Sequence, residues 1–153
     1  MLLMDPETSR DTIKVDRVEA FFLPVSPSVP VIVCYLEDGR QFNLLNVPVE
    51  IVMAINKFKG LTTYNDRETI YEVLLMLSEV IDELEKRIDS VVIDNLNREL
   101  GVYSATVSIK FDGVLIQKNM IPSHAIYLAL LSKTDIYVKK ELVDDQEKEM
   151  SNG

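Results

Sequence analysis

The chain has one cysteine, one histidine and no tryptophan among its 153 residues. Each scarcity excludes a chemistry. A His/Cys zinc site needs about four nitrogen or sulfur ligands, more than Cys34 and His124 can supply. A lone Cys34 cannot close an internal disulfide, which fits a reducing compartment better than secretion. A Ser/His/Asp triad would have to use His124. The adjacent Ser123 is poorly placed to meet it, because successive residues on a helix point about 100° apart. The five glycines are single and scattered, so no Gly-rich loop cradles a phosphate ahead of a helix. No apolar run approaches the roughly 18–20 residues of a membrane span. Met1–Glu7 has no basic region before its short apolar stretch, so no signal peptide is expected. A soluble, cytoplasmic protein with no membrane partner is the expectation.

Basic residues are also short. Sixteen Lys+Arg face 25 Asp+Glu, a formal charge of −9. Loose electrostatic binding to nucleic acid needs basic surface to displace counterions, so this balance disfavours a nucleic-acid partner. Two bases and five acids fall in Lys140–Gly153, so the excess is not confined to the C-terminus.

What is present suffices for one domain. At 47% hydrophobic and 27% charged residues, the chain has enough apolar surface for a core. Residues 1–12 are mixed and polar and read as a flexible N-terminus, 13–139 as the folded domain, and 140–153 as a charged tail, partly helical or disordered. Ile13–Leu23 reads as a strand ended by Pro24, Pro27 and Pro30. Val31–Glu37 is apolar on both faces, as a central strand is. Asp38-Gly39 signals a hairpin turn into Arg40–Leu45. A helix follows from Pro48 to Gly60, and a second from Asn65 or Asp66 to Ile88. The second carries Ile70, Val73, Leu74, Leu77, Ile81, Leu84 and Ile88 as one apolar face. Strands are expected over Ser90–Leu96 and Val102–Phe111, with Asp112-Gly113 turning into Val114–Gln117. A third helix is expected over about Pro122–Lys133, then a short strand at Ile136–Val138. Hairpin-joined strands interleaved with helices argue an α+β domain with a mostly antiparallel or mixed sheet and about three helices.

Among the carboxylates, Asp38 and Asp112 are explained by hairpin turns and Asp66 by helix capping. Glu50 and Glu68 remain, both near helix starts, where the helix dipole favours acids in any case. Two or three converging carboxylates could hold Mg²⁺ or Mn²⁺ and support in-line phosphodiester hydrolysis. His124 opens the third helix, where it could contact an anion as a neutral donor. Cys34, mid-strand between Val33 and Tyr35, reads as a buried structural thiol.

Ile121-Pro122-Ser123-His124-Ala125-Ile126, an Ala/Leu-rich stretch, and then Asp135-Ile136-Tyr137-Val138 resemble a known C-terminal signature. In the bifunctional nuclease domain family it runs Arg-Pro-Ser-Asp-Ala-Ile, then a helix, then Pro-Ile-Tyr-Val. Pro48, Glu50, Ala54-Ile55 and Tyr103-Ser104-Ala105 extend the resemblance over roughly residues 13–143. It implies a small, often dimeric α+β domain able to cleave DNA and RNA. It points to Glu50, Glu68 and His124 as catalytic candidates and to Arg67 and Ser123 as substrate-binding candidates, with Mg or Mn as the cofactor. The chain departs from the motif where the family Arg is Ile121 and the family Asp is His124. Those changes remove a phosphate-holding cation and a metal ligand. A non-catalytic homodimer acting through protein contacts is the alternative.

Overall fold

A computed structural model describes residues 11–62 and 67–152. The expected flexible segment before Asp11 and the expected cap at Asn65 or Asp66 lie outside the described residues. The elements run β1 (Thr12–Leu23), β2 (Val29–Leu36), β3 (Gln41–Leu45), α1 (Val49–Phe58), α2 (Ile70–Met76), α3 (Ser78–Arg87), β4 (Ile88–Asn97), β5 (Val102–Phe111), β6 (Val114–Met120), α4 (Pro122–Ser132), β7 (Ile136–Lys139) and α5 (Lys140–Asn152).

All seven strands join one mixed sheet in the order β3-β2-β1-β7-β4-β5-β6. Neighbours are antiparallel except β4 and β7, which run parallel because the chain crosses over through α4. β1 links the two halves. Its first residues pair with β7 and the rest with β2, and a bulge between Val15 and Arg17 bends it at the changeover. The extra residue shifts the side-chain alternation: Ile13 and Val15 are buried before the bulge, Val18 and Ala20 after it. The sheet coils strongly. β3 and β5 are far apart in strand order, yet the Phe42 and Tyr103 rings meet edge to face with centroids 5.0 Å apart.

The helix count corrects the expectation. The α+β class holds, but five helices stand among the described residues instead of about three. One is gained because the long second helix breaks at Leu77, whose φ of −96° and ψ of 88° leave the helical region. The apolar face read as continuous is therefore divided. Ile70, Val73 and Leu77 are exposed, while α2 turns Tyr71, Glu72 and Leu74 towards the interior. The other is gained at the charged C-terminal stretch, which forms α5. Leu142 and Val143 are buried there, and Gln146 brackets the Asn43 backbone, accepting from its N–H at 2.7 Å and donating to its carbonyl at 2.9 Å. Ion pairs from Arg40 to Asp144 at 2.8 Å and from Arg98 to Asp145 at 2.9 Å add to this docking of a helix that is charged elsewhere.

Both hairpin turns form where Asp-Gly stands. Asp112 and Gly113 both take positive φ, 46° and 85°, as a two-residue turn of primed type requires. α1 is buried along Ile51, Val52, Ala54 and Ile55. α4 is buried on nearly every side, from Pro122 to Ser132, and packs on β4, β5, α1 and α3. No described helix is long and apolar enough to cross a membrane.

Candidate functional site

The starts of three helices converge on one tyrosine. Thr69 caps α2, accepting from the Tyr71 N–H at 3.2 Å, while the Thr69 N–H donates to Glu72 at 2.9 Å. This capping box fixes the first turn of α2. Lys57, at the end of α1, donates to Glu72 Oε1 at 2.8 Å and ties the two helices together. Tyr71 is thereby held against α4, where its hydroxyl lies 3.2 Å from His124 Nε2. The Tyr71 and His124 rings stand nearly perpendicular, at 87°, with centroids 5.6 Å apart. Tyr127, one helical turn beyond His124, donates to the Tyr71 carbonyl at 2.7 Å.

The electrostatics follow from burial and neighbouring charge. The Tyr71 phenol is raised above its ordinary value by burial and, secondarily, by the Glu50 carboxylate. Glu50, in the first turn of α1, is thus near enough for its charge to act on the same tyrosine that meets His124. Burial also pushes the Tyr127 phenol up to about 12, aided by the charge of Glu72. Burial alone would raise Glu72. The Lys57 ammonium and the Thr69 donors outweigh it and bring the carboxyl down to about 2. Arg67 reaches Glu50 at 3.7 Å and is otherwise 81% exposed, so its guanidinium remains open to an anion.

Of the residues singled out from sequence, His124 contacts Tyr71, Glu50 acts on it through its charge, and Arg67 pairs with Glu50. Glu68 does not join them. It is exposed and makes no hydrogen bond or ion pair among the described residues. Ser123 is also apart. It is buried, and its Oγ has no hydrogen-bond partner among the described residues. It lines a cleft of about 750 Å³ bounded by β3, the ends of β4 and β5, the start of α4, and α5. The sequence reading missed Tyr71, Tyr127 and the Lys57–Glu72 pair. One signal was available: Thr69-x-x-Glu72 is a capping-box spacing, and it marks where α2 begins.

The family resemblance implies Mg or Mn, which would need a cluster of oxygen or imidazole ligands. Among the described residues no group of three or more His, Cys, Asp or Glu side chains is placed to hold a metal ion. Glu50 and His124 share Tyr71 without a third such ligand. Among the described residues, then, no resident metal site is assembled.

The segment that carries Arg67, Tyr71, Ser123 and His124 also carries the kinship. No curated protein matches the chain at a significant level. The family profile described as "Bifunctional nuclease domain" matches residues 65–151, from the approach to α2 through α5. β1 to α1, with Glu50, lie ahead of the matched segment, a shorter span than the sequence resemblance suggested. More than half of the chain is matched, and it belongs to the bifunctional nuclease domain family.

Proposed function

We propose that the chain cleaves RNA at the Tyr71 centre by acid–base chemistry. The observation that supports this best is the 3.2 Å contact between Tyr71 Oη and His124 Nε2, beside a Glu50 that acts on the same phenol. Glu50 as carboxylate takes the proton of a ribose 2′-hydroxyl. The 2′-oxygen attacks phosphorus, the bond from phosphorus to the 5′-oxygen breaks, and His124 as general acid delivers a proton to the leaving oxygen. The products are a 2′,3′-cyclic phosphate and a free 5′-hydroxyl. Tyr71 orients the imidazole, and Arg67 offsets charge on the phosphate. The overall charge of −9 predicts weak substrate affinity.

The test is incubation of the whole chain with single-stranded RNA and DNA, in chelator or in added Mg²⁺ or Mn²⁺. RNA cleavage in chelator is expected, with loss of about 10²–10⁴-fold in Glu50→Gln and His124→Ala. Absence of RNA cleavage, or cleavage indifferent to both substitutions, overturns the proposal. Cleavage of DNA and RNA alike, only with added metal, would favour hydrolysis around a bound ion instead.

A second reading rests on β6. This edge strand is exposed along nearly its whole length, including Val114, Leu115 and Ile116, and its outer backbone edge has no strand beside it. Such an edge favours pairing with a second copy, as a non-catalytic homodimer would use. Sedimentation at micromolar concentration tests it: a dimer reduced to monomer by Ile116→Lys supports the reading, and a wild-type monomer removes it.

A further inference from the structure

The cleft beside Ser123 stands apart from the Tyr71 centre and carries its own assignment. Ser123 is 2% exposed and lines the cleft, and its buried hydroxyl has no hydrogen-bond partner among the described residues. A buried hydroxyl without a partner is unfavourable, so it calls for one that arrives from outside. The hydroxyl sits in the first turn of α4, an eleven-residue helix. Pro122 has no N–H, so the first N–H groups of that helix belong to Ser123 and His124, and an α-helix leaves them without intrahelical acceptors. Hydroxyl, N–H groups and the positive end of the helix dipole all favour an anionic oxygen at this point. No side-chain cap competes for the place, because the N-cap residue is Ile121.

The rest of the cleft is apolar and open. Leu45, Val102, Ile121 and Met150 line it while remaining 52–65% exposed, an unusual grouping of large apolar side chains left in water. Its far wall is rigid, since Gln146 brackets the Asn43 backbone. A volume of about 750 Å³ is that of a small-molecule site.

We infer that this cleft binds a small amphipathic anion, its phosphate or carboxylate head on Ser123 Oγ and the start of α4, its apolar body against Leu45, Val102 and Ile121. The site does not depend on the nuclease reading, because the cleft lining includes none of Glu50, Arg67, Tyr71 or His124.

The test titrates the whole chain with inorganic phosphate, 5′-AMP and octanoate, following the backbone amides of Ser123 and His124 by NMR. Saturable shifts are expected with 5′-AMP or octanoate, at least tenfold tighter than with phosphate alone, because phosphate lacks the body. Which of the two binds tells a phosphate head from a carboxylate. Ser123→Ala is expected to weaken binding about tenfold while leaving the melting temperature of the free protein unchanged or raised, which a merely structural serine would not do. Val102→Glu, at an exposed position on the wall, is expected to abolish binding by repelling the anion. Absence of saturable shifts with all three probes overturns the inference. So does equal binding by wild type and Ser123→Ala, or binding indifferent to Val102→Glu.

Discussion

Lys57 Nζ lies 2.8 Å from Glu72 Oε1, with the two side chains only 8% and 11% exposed. This pair joins α1 to α2 and sets the rotation of α2 that points Tyr71 at His124. A buried pair is costly to break and cheap to replace. Loss of one partner leaves an uncompensated charge, worth about 3–5 kcal/mol, whereas an apolar pair of similar volume is often neutral. Lys57→Met and Glu72→Leu are each expected to destabilise the protein by that amount in urea denaturation. The double substitution should recover most of the loss. Additive losses in the double variant would show that the two side chains act independently.

The same pair makes stability depend on acid. Glu72 is held at about 2 against an ordinary value of 4.5. The folded state therefore prefers the ionised carboxylate more strongly than the unfolded chain does. That contribution is complete above 4.5 and is lost as pH falls from there towards about 2. Glu72→Gln should start from lower stability at neutral pH and fall less steeply across this window. Parallel curves for wild type and variant, by thermal melting at stepped pH, would contradict the assignment.

Cys34 is fully buried in β2, and burial pushes its thiol up to about 12. Reaction needs the thiolate and access to it, and the folded protein denies both. At pH 8 a disulfide reagent that releases a coloured thiolate should find no reactive group in the native protein. In denaturant it should find one per chain. Rapid native labelling would place the thiol at the surface.

Gly113 holds a φ of 85° in the turn between β5 and β6, and a Cβ there would meet nothing within 4 Å. Any cost of substitution is therefore conformational. Gly113→Val should destabilise by about 1–2 kcal/mol, the penalty of left-handed backbone for an L residue. Gly113→Asn should cost less, because asparagine tolerates that region. Equal losses by calorimetry for the two variants would point to a steric cause.

Local chemistry was legible where one signal decides one feature. The two Asp-Gly turns, the continuous apolarity of β2, the alternation of β5 and the Pro122 start of α4 were read from neighbouring residues alone. Failures came where distant parts compete. Periodicity over Ile70–Ile88 argues one helix, but it cannot register that Glu72 is wanted inside by Lys57, which exposes Ile70 and Val73. The acidic composition of Lys140–Asn152 argues a tail, and it hides that Leu142 and Val143 have a sheet to cover. Glu50 and His124 were singled out because each opens a helix. That reason did not extend to Tyr71, whose role depends on what stands opposite it.

The sequence by itself determined the α+β class, most element boundaries and the family resemblance, because turns, caps and periodicity are set by residues a few positions apart. The tertiary structure decided the rest. It coiled the sheet through the β1 bulge, broke the long helix at Leu77, and docked α5 through Leu142, Val143 and Gln146. It also placed Ser123 at a cleft and His124 against Tyr71. A helix start fixes which residues are exposed to a neighbour, but only packing across more than 50 residues of chain, as between Tyr71 and His124, fixes which neighbour that is.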